Sequence, residues 1–197
     1  MAGLPGINDP RRVDYITMWE LIKTNRYLGL PQPYSDELLI SMFWEESTFC
    51  NIRQVYNNGS FGPAVGFGQA QVYAEGSAGV LWRFSDYYSS PDQLGNLILG
   101  DPGFSITFTG MLLANMHSIL NNKEATLLGY SGQQGNKKSQ WLASENELLA
   151  YQGDTFTTPG GYVIPLREEL ETALTKAKPD GQGYYDQILQ DVPYEYE

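Results

Sequence analysis

The chain of 197 residues contains one cysteine and one histidine. Cys50 has no second thiol to pair with, so an internal disulfide is excluded. A zinc centre takes about four nitrogen, sulfur or oxygen ligands, and one cysteine with one histidine supplies no such set. A thiol nucleophile would need His117 as its base. That histidine lies in an apolar helical stretch, Gly110 to Leu120, where a packed or surface role is the simpler reading. Cys50 beside Phe49 reads as a small buried hydrophobe. No calcium-loop spacing occurs, and neither a metal nor a cofactor is expected. Basic residues are scarce too, 12 against 23 acidic ones, for a net charge of -11. Nucleic acid demands a basic face and is excluded as a partner. Adhesion to an anionic wall by charge alone is excluded by the same balance. No apolar run approaches the roughly 18 residues of a membrane span. The first ten residues lack the basic and apolar regions of a signal peptide.

What is present is a helical chain. Hydrophobic residues make up 42% and charged residues 18%, the composition of a globular protein, and the length suits one well-cored domain. Asp14 to Leu28 reads as a first helix with Tyr15, Met18, Trp19 and Ile22 on one face. Leu30 to Tyr34 stops it, and Ser35 caps a second helix whose first turn carries Asp36 and Glu37. Ser90-Pro91-Asp92 opens a short helix to about Leu99. Phe104 to Leu120 is the longest apolar stretch and the candidate central helix. Shorter helices are expected at Lys123 to Gly129, Ser139 to Tyr151 and Pro165 to Ala177, with a small β-turn element at Thr155 to Tyr162. The remainder, Lys178 to Glu197, reads as a short helix and a tail.

Three segments carry candidate chemistry. In Ser35 to Phe49, helical spacing puts Leu39, Met42 or Phe43, and Glu46 on one face. A carboxylic acid beside apolar side chains keeps its proton more readily, which suits a general acid. Between Val55 and Val72, glycines at 59, 62, 66 and 68 break both helix and strand patterns, giving a shaped loop. Phe61, Phe67, Gln69 and Gln71 supply that loop with apolar platforms and amides. The third segment, Ala125 to Gly132, runs through an apolar stretch into Tyr130, Ser131 and Gly132.

Glu46-Ser47-x-Phe49 at a helix end, then Gly66-x-x-Gln69, then a helix into Tyr130-Ser131-Gly132, resembles soluble lytic transglycosylases and the related goose-type lysozymes. The resemblance spans roughly Ser35 to Ala150. It implies a mostly α, lysozyme-like domain with a glycine-rich loop beside the cleft and helical extensions at both ends, all within 1–197. It also implies that Glu46 protonates the glycosidic oxygen between N-acetylmuramic acid and N-acetylglucosamine. Glu46 would then act as base toward the muramic acid's own hydroxyl or toward water. Tyr130 is expected to hydrogen-bond Glu46, and Ser47, Phe67, Gln69, Gln71 and Ser131 to line the sugar. Two departures stand out: Ser131 replaces the family's usual asparagine, and Gly68 a bulky apolar residue.

Two-carboxylate hydrolysis needs a second acid at roughly 5 to 9.5 Å. Glu45 should point about 100° away round the helix, and nothing in the sequence brings Glu75 to the cleft, so one-acid chemistry is expected. The partners expected are peptidoglycan glycan strands, met by a monomer at the bacterial cell wall. Delivery would depend on a leader removed earlier, a phage particle, lysis or a secretion apparatus. A non-catalytic wall-binding or structural protein of the same fold, and a chitin-active hydrolase, are the alternatives.

Overall fold

The structure is a computed structural model that describes residues 9–56 and 58–166. It is mostly α, with six helices and two short β-hairpins among the described residues. The expected helix from Pro165 and the Lys178 to Glu197 segment lie almost wholly outside them.

Capping side chains set where most helices begin. Asp14 accepts from the Thr17 amide at the head of α1 (Tyr15–Asn25), and Ser35 from the Leu38 amide at the head of α2 (Asp36–Ser47). After the hairpin of β1 (Arg53–Val55) and β2 (Phe61–Val65), two 3-10 turns lead to α3 (Pro91–Gly100), capped by Ser90. Asp101 accepts from two amides at the head of α4 (Pro102–Leu120), and Asn122 caps α5 (Lys123–Tyr130). The Gly100 to Gly103 break is thus a junction between two helices. The sixth helix, α6 (Gly135–Ala150), starts four residues ahead of the expected Ser139. That earlier start brings Lys137 into its first turn. The last hairpin pairs β3 (Thr155–Thr157) with β4 (Val163–Pro165), where a turn element was anticipated. The glycine-rich stretch expected as loop also contains paired strands, β1 with β2.

Two apolar clusters organise the molecule. The first gathers Trp19, Phe43, Trp44, Leu113 and Trp141 around α2. The second gathers Val65, Leu94, Ile98, Phe108 and Leu112 around α3 and α4. Tyr130 packs against both clusters, at their junction. Every residue from Leu38 to Ser47 is buried, so α2 is enclosed on all sides and the one-faced stripe read from the sequence is too narrow. Glu45 and Glu46 are both buried as a result.

Helices α2 and α6 pack together and run antiparallel. The Ser35 hydroxyl at the head of α2 donates to Glu145 late in α6. At the tail of α2, Glu46 meets Lys137 at the head of α6. The candidate site lies at the Glu46 end of this helix pair.

Candidate active site

Glu46 is 7% exposed and lies one residue before the C-terminus of α2. The carbonyl end of a helix carries partial negative charge, which opposes a carboxylate there. Lys137 answers it, with Nζ 2.8 Å from Glu46 Oε1 and 2.9 Å from Oε2. Lys137 sits in the first turn of α6, where the helix field opposes a cation. Each charge stands against its own helix dipole, and pairing offsets both. Burial favours the neutral acid, whereas the ammonium favours the carboxylate.

The backbone turns sharply straight after Glu46. Thr48 and Phe49 both lie in the left-handed region, at φ 53° and 61°. A β-branched residue there is strained, on the order of 1–3 kcal/mol per residue, and such strain concentrates at functional sites. Packing holds the turn. The Trp44 and Phe49 rings meet edge to face at 4.9 Å, and the Val13 amide donates to the Phe49 carbonyl at 3.1 Å.

The glycine loop reaches the same place. Gly66 has φ +85°, and a Cβ there would lie 2.6 Å from Ile98 Cγ2 and 2.7 Å from Ser105 Oγ. A Cβ on Gly68 would lie 2.5 Å from the Tyr130 hydroxyl and 2.6 Å from Thr109 Oγ1. No side chain fits between this loop and Tyr130, so the glycine at 68 is what permits the contact.

The Tyr130 hydroxyl donates to the Gly68 carbonyl at 2.7 Å. The expected hydrogen bond to Glu46 is therefore not made, because the phenol's one proton is used on the loop. Glu46 nevertheless acts on Tyr130 through its charge. Burial first, and the Glu46 carboxylate second, push the Tyr130 pKa far above the ordinary tyrosine range, and Thr109 opposes them only in part. Tyr130 thus links the segment at 68, by a hydrogen bond, to the one at 46, by charge.

The other candidate binding residues are mostly committed elsewhere. Phe67 is corrected from sugar platform to core: its ring is 1% exposed and packs on Phe43 at a centroid distance of 6.0 Å. Ser47 is corrected likewise, being wholly buried with its hydroxyl donating to the Phe43 carbonyl at 3.0 Å. Ser131 closes the turn between α5 and α6. Its Oγ donates to the Leu128 carbonyl at 2.8 Å and accepts from the Gln134 amide at 3.1 Å. Gln69 spends Nε2 on the Ile52 and Gly66 carbonyls, holding the glycine loop to the end of β1. Gln71 is partly exposed, and its carbonyl accepts from Val80.

Lys137 is the residue that the sequence reading missed. The signal was the Lys137-Lys138 pair just past the Tyr130 turn, in a chain with only 12 basic residues. No group of His, Cys, Asp and Glu side chains suited to a metal occurs among the described residues. No helix among them is long and apolar enough to cross a membrane. No protein-family model matches the chain, and no curated protein or solved structure shows significant similarity to it.

Proposed function

We propose that the chain is a glycosidase of lysozyme-like fold that cleaves the β-1,4 bond between N-acetylmuramic acid and N-acetylglucosamine in peptidoglycan. The observation that carries this reading is the meeting of the glycine loop and the tyrosine turn within reach of the Glu46 charge, with Tyr130 donating to Gly68 at 2.7 Å. Burial of Glu46, its place against a helix dipole and the strained turn behind it support the reading further.

In this mechanism Glu46 gives its proton to the glycosidic oxygen as the bond from that oxygen to the muramic acid anomeric carbon breaks. The resulting carboxylate takes the proton of the attacking hydroxyl, which belongs to the muramic acid or to water. Lys137 orients the carboxylate and favours its ionised form in the second half of the reaction. A glycan oxygen or water must loosen the pair before Glu46 is an effective acid.

The second reading, a non-catalytic protein of this fold, is favoured by the same ion pair, since a Glu–Lys contact between helices also serves as a staple. Isolated cell-wall sacculi separate the two. Release of muropeptides with anhydro ends means transglycosylation, and reducing ends mean hydrolysis. No release by the wild type, or undiminished release by Glu46→Gln, refutes the enzyme reading. Release from chitin but not from sacculi moves the substrate to chitin.

A further inference from the structure

A cavity of about 680 Å³ lies among residues 74 to 89, within the roughly 300–1,000 Å³ of small-ligand sites. Trp82, Leu81, Tyr88, Ser77, Ser85 and Ser89 line it. Leu81 and Tyr88 belong to the second apolar cluster, whereas α2 and Glu46 belong with the first. None of the residues placed around Glu46, namely Lys137, Gly68 and Tyr130, lines the cavity.

Its most unusual element is Trp82. The other three tryptophans are at most 1% exposed, whereas Trp82 is 53% exposed. A large ring left in water at the mouth of a cavity forgoes burial that the same residue type obtains elsewhere in the chain. The indole is nonetheless held. The Arg83 guanidinium lies over it at 4.3 Å, and Arg83 Nη1 donates to Asn115 Oδ1 on α4 at 3.3 Å. Opposite support comes from Tyr88, whose ring meets Phe104 and Phe108 edge to face, both at 6.3 Å. The aromatic walls are thus anchored on α4, and preorganised rings lower the entropy lost on binding.

Hydrogen-bonding groups surround the rings. Ser77 makes no hydrogen bond among the described residues and keeps both donor and acceptor. The hydroxyl protons of Ser89 and Ser85 go to Gln93 Oε1 and the Trp82 carbonyl, leaving their lone pairs free to accept. Burial pushes the Tyr88 pKa up, so its hydroxyl stays a proton donor.

Charge bears on which ligands stack on an indole. No lining residue is charged, and Glu75 and Asp86, exposed next to lining residues, bring negative charge to the rim. With the Arg83 guanidinium over the indole the rim carries both signs of charge, so it singles out neither an anion nor a cation. Arg83 already covers the indole as a cation, which disfavours a second cation on the same ring. A neutral ring with one apolar C–H face and an edge of hydroxyl and amide groups suits an indole beside a serine rim.

We infer that this cavity is a second, non-catalytic glycan site, in which an uncharged N-acetylhexosamine unit stacks on Trp82 and bonds to the serine rim. The choice of sugar rests on the glycan reading of the chain. The site would hold a strand away from the cleavage point, as neutral ring recognition must where a net charge of -11 opposes an anionic wall.

Trp82 is also the natural reporter, being the exposed member of the four tryptophans. The probe is tetra-N-acetylchitotetraose, titrated into the full chain by fluorescence and calorimetry. Wild type should show a saturable change in tryptophan emission. Trp82→Ala should lose at least tenfold in affinity by calorimetry with its melting temperature little changed, and Trp82→Phe should recover part of the loss. The cavity is read from Trp82-dependent binding and the catalytic reading from sacculus cleavage by Glu46→Gln: if that variant still cleaves sacculi, the mechanism fails while the cavity assignment stands. Absence of saturable binding by wild type overturns the inference. So does equal affinity of Trp82→Ala and wild type, or tighter Trp82-dependent binding of adenosine monophosphate or choline than of the sugar.

Discussion

Two glutamate–lysine pairs lie at opposite ends of the antiparallel α2 and α6 pair, Glu46–Lys137 joining those two helices and Glu145–Lys123 joining α6 to α5, and they are alike in chemistry but not in surroundings. Glu145 is 4% exposed and meets Lys123 Nζ at 2.8 and 2.7 Å. It also accepts from Ser35, the residue that caps α2, so its hydrogen-bonding capacity serves a helix start. Glu46 is 7% exposed and meets Lys137 at nearly the same distances, yet it stands at an unfavourable helix end, before a strained turn and beside Tyr130. The first pair stabilises its neighbours. The second is held by its neighbours at a cost, which is the arrangement expected of a functional group.

The largest test of that contrast is loss of the two acids. Glu46→Gln is expected to reduce release from sacculi by about 10²–10⁴-fold, the usual share of general acid–base catalysis. Glu145→Gln should leave turnover intact and lower the melting temperature instead. Its cost should fall below the about 3–5 kcal/mol of a fully buried pair, because the Lys123 side chain is 25% exposed. Equal effects of the two variants on turnover would erase the distinction.

Next in size is the packing between loop and tyrosine. Gly68→Ala forces a Cβ within 2.6 Å of both Tyr130 and Thr109. Denaturant unfolding should report a loss of about 1–3 kcal/mol, as overpacking does, with turnover falling as Tyr130 shifts.

The lysines give a finer comparison. Lys137→Met removes the cation that favours the Glu46 carboxylate, so the basic limb of the pH–rate profile should move to higher pH. Lys123→Met should leave that limb where it is. A profile unmoved by Lys137→Met would make the second pair as structural as the first.

The smallest effect concerns alkaline stability. The folded chain keeps the Tyr130 proton at pH values where the unfolded chain, with an ordinary value of 10.0, loses it. The unfolded state then binds fewer protons, so stability falls as pH rises above about 10. Tyr130→Phe removes that component and should flatten the alkaline slope in a thermal series. At neutral pH it should cost about 1 kcal/mol for the lost bond to Gly68.

Local signals were legible in the chain. Ser35, Ser90 and Pro91 marked helix starts correctly because caps act through backbone amides two or three residues away. The start of α6 was missed because Gly135 and Asn136 are poor helix formers, and tertiary contacts override such propensities. Lys137 was missed with it. Phe67 and Ser47 were misread because a loop phenylalanine and a helix-end serine look alike whether they face a ligand or a core.

The sequence by itself determined a mostly helical chain, the caps that start its helices, the absence of a disulfide and the candidacy of Glu46. Only the tertiary structure decided that Glu46 is paired with Lys137, that Gly68 admits the Tyr130 hydroxyl, and that Trp82 alone among the tryptophans faces water beside a cavity. The reason is range. Capping and periodicity act over a few residues along one helix, whereas ion pairing and burial depend on segments such as Glu46 and Lys137, whose meeting waits on the packing of every helix between them.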